Sequence, residues 1–408
     1  MGITRSGLRR PRVKATSAVA LMVAATAFLS ACSGVSGYDT EVHANGEFGD
    51  MIKPAVSITD EDGKPLTKNE LGVQPGRPVV VKATEGAISD VRIKKSDGGL
   101  IKGELSDDGT TWTSAEPFGY DRTYTVNATA TGVGGKTVQT TKFRTRSPEN
   151  QTAAYIGPPD GETVGVAQTV SVRFDEAIGN RKAAQDAIKI TSTPAVEGAF
   201  YWISDQEVRW RPENYWASGT KVNVKVNIFG IDLGNGTFGQ ENASSSFKVG
   251  RDLEMFVDDN DKMVVVKKNG KVIRTMPTSM GKESAPTNNG IYMIGDRVDH
   301  IIMDSSTYGV PTNSADGYRT PVDYATQMSY SGIYLHSAPW SVWAQGNTNT
   351  SHGCLNLSPD DALWTVRNTL RGDPVTVKNT IGDPLPGTDG LGDWNIPWST
   401  WKKGNAKG

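Results

Sequence analysis

Lys221-Val222-Asn223-Val224-Lys225-Val226-Asn227 decides the fold class of this chain. Val222, Val224 and Val226 fall on one face, and Lys221, Asn223, Lys225 and Asn227 fall on the other. Strict period two with one polar face marks a half-buried antiparallel strand. The alternation recurs upstream, with Val170, Val172 and Phe174 against Ser171 and Arg173, and with Tyr124, Val126, Ala128 and Ala130 against Thr125, Asn127 and Thr129. From Ala55 onward such stretches are separated by Gly, Asp and Asn turns, the rhythm of a mainly β chain. Trp210 precedes Val222 by 12 residues, and Trp112 precedes Tyr124 by the same 12. The two tryptophans are 98 residues apart, close to the roughly 100 residues of an immunoglobulin-like β-sandwich. Two tandem sandwiches over 55–148 and 149–250 follow from that offset. Neither contains an inter-sheet Cys pair, so the assignment rests on strand rhythm. A short helix near Asn180 to Ile188 interrupts the second.

The character changes after Gly250. Val264-Val265-Val266 and Val272-Ile273-Arg274 flank Asn269-Gly270, a hairpin signal because a type I′ turn needs two residues tolerant of positive φ. Ser358 reads as an N-cap before Pro359, Asp360 and Asp361, a sequence suited to the start of a helix. Leu363, Val366 and Leu370 form its apolar face, and Gly372 ends it. These elements predict a third domain over 251–378. The remainder, 379–408, carries Trp394, Trp398 and Trp401 and is expected to pack back onto that domain.

Composition narrows the function. The chain has 408 residues, of which 8% are aromatic and ten are Trp. This is ample for packed cores and excludes wholesale disorder. Lys and Arg number 43 against 45 Asp and Glu, so no global charge favours nucleic acid as a partner. At the N-terminus, Arg5, Arg9, Arg10, Arg12 and Lys14 precede an apolar run from Ala15 to Ala31, with no acid before Asp39. That is the order of a secretory signal. Leu29-Ser30-Ala31-Cys32 resembles a bacterial lipobox, which implies cleavage before Cys32 and a diacylglycerol on its sulfur. An ordinary signal peptide with an incidental Cys is the alternative. The expectation is a signal peptide over 1–32, a flexible tether over 33–54, and an exported protein lipid-anchored to the outer face of the cell membrane.

Cys32 and Cys354 are the only cysteines. With Cys32 lipidated, Cys354 is a lone thiol in an oxidising compartment, where exported proteins usually pair their thiols or dispense with them. It lies in Thr350-Ser351-His352-Gly353-Cys354-Leu355-Asn356, with His336 eighteen residues upstream. An imidazole that takes the thiol proton makes the thiolate nucleophile. Gly353 lets the backbone turn so that the amides of Gly353 and Cys354 converge on one acceptor, an oxyanion hole. A zinc site and an inert structural Cys are the competing readings. The zinc site lacks the usual paired ligand spacing, and acyl transfer by Cys354 and His336 is favoured. Elsewhere, Asp232, Asn235 and Gly236 offer oxygens of the kind calcium accepts, without the spaced acids of an EF-hand. A plain turn is the favoured reading there, and the chemistry requires no cofactor.

His336, fourteen intervening residues, and then Ser351-His352-Gly353-Cys354-Leu355-Asn356 resemble the signature of the L,D-transpeptidases with a YkuD-type catalytic domain. The likeness extends to the mycobacterial type with two immunoglobulin-like modules, through Tyr308-Gly309-Val310-Pro311 and Asp389-Gly390-Leu391-Gly392-Asp393-Trp394-Asn395-Ile396-Pro397-Trp398. The resemblance implies a β-sandwich catalytic domain in which Cys354 attacks a peptidoglycan stem tetrapeptide, releases D-Ala, and passes the acyl group to an acceptor stem in a 3→3 cross-link. It implies His336 as base and acid, the Ser337 carbonyl as the group orienting its ring, and Gly353 with His352 at the oxyanion. It further implies a lid over about 298–323, with Met303, Tyr308 and Tyr318 facing the cleft. Ser331 and Gly332 border the donor stem, Trp340, Thr350 and Asn356 form the opposite wall, and carbapenems are implied as covalent inhibitors. An L,D-carboxypeptidase with the same Cys–His site, or a non-catalytic wall-binding lipoprotein, are the alternatives.

Overall fold

The computed structural model describes residues 52–314 and 317–406. The signal peptide, the lipobox with Cys32 and nearly all of the tether lie outside the described residues. The protein is mainly β, and the quoted alternating stretches fall in strands Thr123–Gly132, Val170–Phe174 and Lys221–Val226. Their apolar residues are buried throughout.

The repeat inferred from the two tryptophans is structural. In the first module one sheet orders its strands Ala55–Asp60, Val79–Thr84, Thr111–Ser114, Gly103–Leu105. In the second the order is Ala154–Gly157, Val170–Phe174, Glu207–Pro212, Gly198–Trp202, the same path. Each facing sheet begins with a short strand parallel to the module's last strand, Glu70–Val73 on Gly135–Thr145 and Thr163–Val164 on Ala243–Val249. Trp112 and Trp210 occupy equivalent places, each with its indole ring against a glycine of the adjacent strand. A Cβ on Gly103 would come within 2.1 Å of the Trp112 ring, and one on Gly198 within 2.2 Å of the Trp210 ring. Only glycine admits that approach. The expected helix is Arg181–Asp186, N-capped by the Asn180 side chain, which accepts from the Ala183 amide.

Beyond residue 250 two sheets share one core. The first orders Lys271–Pro277, Met263–Lys268, Leu253–Asp258, Pro374–Lys378 and Gly290–Met293. Asn269 and Gly270 both have positive φ at the expected hairpin. The second sheet orders Arg297–Asp304, Arg319–Gln327, Tyr334–Ser337 and Leu355–Leu357. Leu335, Leu355 and Leu357 of this sheet share a core with Met255, Val264 and Val375 of the first. Helix Pro359–Asn368 closes that core through Ala362, and Ser358 caps it by accepting from the Asp361 amide at 3.2 Å.

The C-terminal segment reaches further than the third domain. It does pack there, through Leu385 on Asn289 and Asn395 on Ile291. Its tryptophans, however, turn to the second sandwich. Trp394 Nε1 donates to the Ala167 carbonyl and Trp401 Nε1 to the Ala199 carbonyl, both at 2.8 Å. The Arg211 guanidinium lies 4.4, 5.4 and 4.5 Å from the ring centres of Trp394, Trp398 and Trp401. A cation buried among aromatic faces explains why three Trp sit in an otherwise polar tail.

Candidate active site

Strand Tyr334–Ser337 runs parallel to Leu355–Leu357, with His336 opposite Asn356. The pairing places Cys354 immediately before its strand, beside the strand that carries His336. Both side chains line one cavity of about 390 Å³, together with Met303, Tyr318, Thr320, Val322, Trp340, Thr350, Ser351, His352 and Asn356.

His336 is buried, and its Nδ1 lies 2.9 Å from the Ser337 carbonyl. A carbonyl only accepts, so Nδ1 carries the hydrogen and the neutral ring keeps a lone pair on Nε2. Burial lowers the His336 pKa from its ordinary value, outweighing the Ser337 bond that raises it. Burial likewise pushes the Cys354 thiol up to about 11. Its Sγ donates to the Gly332 carbonyl at 3.6 Å. The resting pair is therefore a neutral thiol beside a neutral imidazole, the state in which His336 can act as a general base.

The loop before Cys354 is braced on both sides. Ser351 Oγ donates to the Cys354 carbonyl at 2.6 Å and accepts from the Gly353 amide at 3.1 Å. Thr287 Oγ1 donates to the Gly353 carbonyl at 2.8 Å and accepts from the Gly281 amide at 2.9 Å. Gly353 itself has φ +116°, a backbone state that glycine adopts without a Cβ penalty. The Gly353 amide, expected at the oxyanion, donates in this structure to the Ser351 hydroxyl two residues earlier. His352 is exposed, with Lys282 Nζ 2.9 Å from its Nε2 and the Tyr318 ring 5.3 Å from its own.

Other expected residues are distributed unevenly. Met303 is buried beside Val322, Ala325, Tyr334 and Cys354, so it is both core and cavity wall. Trp340 lies 6.1 Å from the His336 ring, and Thr350 Oγ1 lies 3.0 Å from Ser279 Oγ. Asn356 Nδ2 donates to Ser341 Oγ at 3.0 Å. Of the two residues expected to border the donor stem, Gly332 reaches Cys354 through its carbonyl while Ser331 is exposed, and neither is among the residues lining the cavity. The side chain of Tyr308 lies outside the described residues. Thr320 and Val322, which the sequence reading does not single out, also line the cavity; the alternation of a strand starting at Arg319 is the signal that could have found them. At the calcium candidate, Asp232 Oδ1 accepts from the Gly234 amide at 3.0 Å, the arrangement of a plain turn. Among the described residues no group of three or more His, Cys, Asp or Glu is placed to hold a metal.

Cys354 and His336 line one cavity of a β-sandwich, and they are the two residue types that thiol acyl transfer uses. Comparison with known proteins gives the family. Residues 253–377 match the L,D-transpeptidase catalytic domain (YkuD), and residues 70–232 match a bacterial Ig domain. The chain is 50% identical to L,D-transpeptidase 2 of Mycobacterium tuberculosis over 99% of its own length and 97% of the relative's. It is 33% identical to L,D-transpeptidase 5 of the same species, over 81% of this chain and 73% of that one. A solved L,D-transpeptidase in complex with imipenem aligns at a TM-score of 0.50 with 38% identity, covering 57% of this chain and 100% of that one. The chain belongs to the L,D-transpeptidase family and is an enzyme of that class.

Proposed function

We propose that the protein forms 3→3 cross-links in peptidoglycan through a thioester on Cys354. The observation that carries this reading is the shared cavity of Cys354 and His336, with the His336 ring fixed by the Ser337 carbonyl. His336 Nε2 takes the thiol proton as Sγ attacks the carbonyl of the third stem residue. The C–N bond to D-Ala breaks, its nitrogen takes the proton back from His336, and a thioester remains. An acceptor side-chain amine then attacks the thioester, forming the new amide and returning the proton to Sγ by way of His336. The Cys354 amide holds the oxyanion, and the Gly353 amide joins it by leaving Ser351 Oγ. Met303, Tyr318 and Trp340 wall the donor side chain, and the segment over about 298–323 acts as the lid.

Lipid on Cys32 anchors the protein to the outer face of the cell membrane in this reading, with 33–54 as tether and the two sandwiches over 55–148 and 149–250 as spacer. Stem peptides are the partners, with no role for nucleic acid or a required cofactor. The solved relative bound to imipenem supports the expectation that carbapenems acylate Cys354 here. Intact-mass spectrometry after imipenem treatment tests it. The wild type gains one imipenem mass, and Cys354→Ala gains none. A wild-type protein of unchanged mass contradicts the reading.

A further inference from the structure

The turn that carries Ser331 and Gly332 is held by a carboxylate far along the chain. Asp389 Oδ1 accepts from the Tyr330 amide at 2.8 Å, and its Oδ2 accepts from the Ser331 amide at 3.0 Å. The next residue, Gly332, has φ +99° and offers its carbonyl to the Cys354 thiol at 3.6 Å. Inside the turn, Ser329 Oγ accepts from the Ile333 amide at 2.8 Å and from Ser331 Oγ at 3.1 Å. Asp389 is itself fixed by its neighbours. The Leu391 carbonyl accepts from the Met293 amide at 2.8 Å, and a Cβ on Gly390 would come within 2.3 Å of the Tyr330 ring. Asp389 lies beyond the stretch that matches the catalytic domain, residues 253–377.

We infer that Asp389 is a positioning residue for the nucleophile, holding the Tyr330–Gly332 turn so that the Gly332 carbonyl stays on the Cys354 thiol. The inference rests on Cys354 being the nucleophile. Both bonds to Asp389 come from backbone amides, so only a side chain with two acceptor oxygens satisfies the turn. Asparagine supplies one acceptor and faces the second amide with a donor. A hydrogen bond from the thiol to Gly332 stabilises the protonated form and fixes the direction of Sγ. Its loss changes both the geometry of attack and the pH dependence of thiol reactivity.

The test uses the full chain and two reagents, imipenem for acylation and iodoacetamide for thiol reactivity across pH. Asp389→Ala is expected to slow acylation about tenfold through misplacement of the reacting groups. It is also expected to move the midpoint of alkylation to lower pH, and Asp389→Glu recovers part of the acylation rate. Asp389→Asn, closer in shape, gives an intermediate rate and keeps the inference testable where the Ala variant fails to fold. A fall in Tm with wild-type acylation and an unmoved midpoint overturns the inference, the outcome expected of Trp398→Ala in the same segment. Wild-type protein alkylated by iodoacetamide at Cys354 but untouched by imipenem overturns the parent reading, and the inference with it.

Discussion

At His336, burial shifts the titration of a single residue. Its lowered pKa keeps the ring neutral below its ordinary value of 6.5. In the proposed mechanism thiol acylation by imipenem uses that neutral ring as base, so the rate is expected to fall only as pH drops below 6.5, with an acid-side midpoint under that value. A midpoint above 6.5 in the rate–pH profile contradicts the assignment. The thiol, pushed up to about 11 by burial, adds no independent ionisation near neutrality. Cys354 and His336 stand out in the sequence because few residue types support the proposed chemistry, and the structure places both on one cavity. The occupied Gly353 amide was not legible in the sequence. It depends on the rotamer of Ser351, which no spacing reports.

At the scale of elements, helix Pro359–Asn368 is bounded by its own sequence. Ser358 Oγ accepts from the Asp361 amide at 3.2 Å and donates to Asp361 Oδ2 at 2.8 Å. Ser358→Ala is expected to cost about 1 kcal/mol of stability, the usual loss for a capping hydroxyl. Chemical denaturation of the two proteins measures it, and an unchanged midpoint would remove the cap from the account. Strands at Tyr124, Val170 and Val222, the Asn269-Gly270 hairpin and this helix were all readable, since each is specified by local alternation or turn chemistry. The parallel pairing of Tyr334–Ser337 with Leu355–Leu357 was not, because neither short stretch encodes its partner. That pairing is what brings the cysteine beside the histidine.

For the whole molecule, the tail joins the catalytic domain to the second sandwich. Buried Asp393 accepts from Thr169 Oγ1 at 2.6 Å and lies 3.4 Å from Arg209 Nη1. Arg211 donates to the Ile396 carbonyl at 2.8 Å while the three Trp surround it. Arg211→Ala is expected to destabilise the protein by about 2–4 kcal/mol, through lost packing and cation–π contact. Arg211→Met keeps the volume and is expected to cost less. Thermal unfolding compares them, and equal Tm values would contradict the role given to the aromatic cage. The sequence showed a Trp-rich tail without showing its target, which is set by contacts roughly two hundred residues apart in the chain. The central claim concerns chemistry, and its most direct test is mass spectrometry of disaccharide-tetrapeptide incubated with the wild type and with Cys354→Ala. A cross-linked dimer formed with loss of D-Ala, seen only with the wild type, is the predicted result. Tripeptide monomer without dimer would make water the acceptor, and untouched tetrapeptide with both proteins would contradict the account.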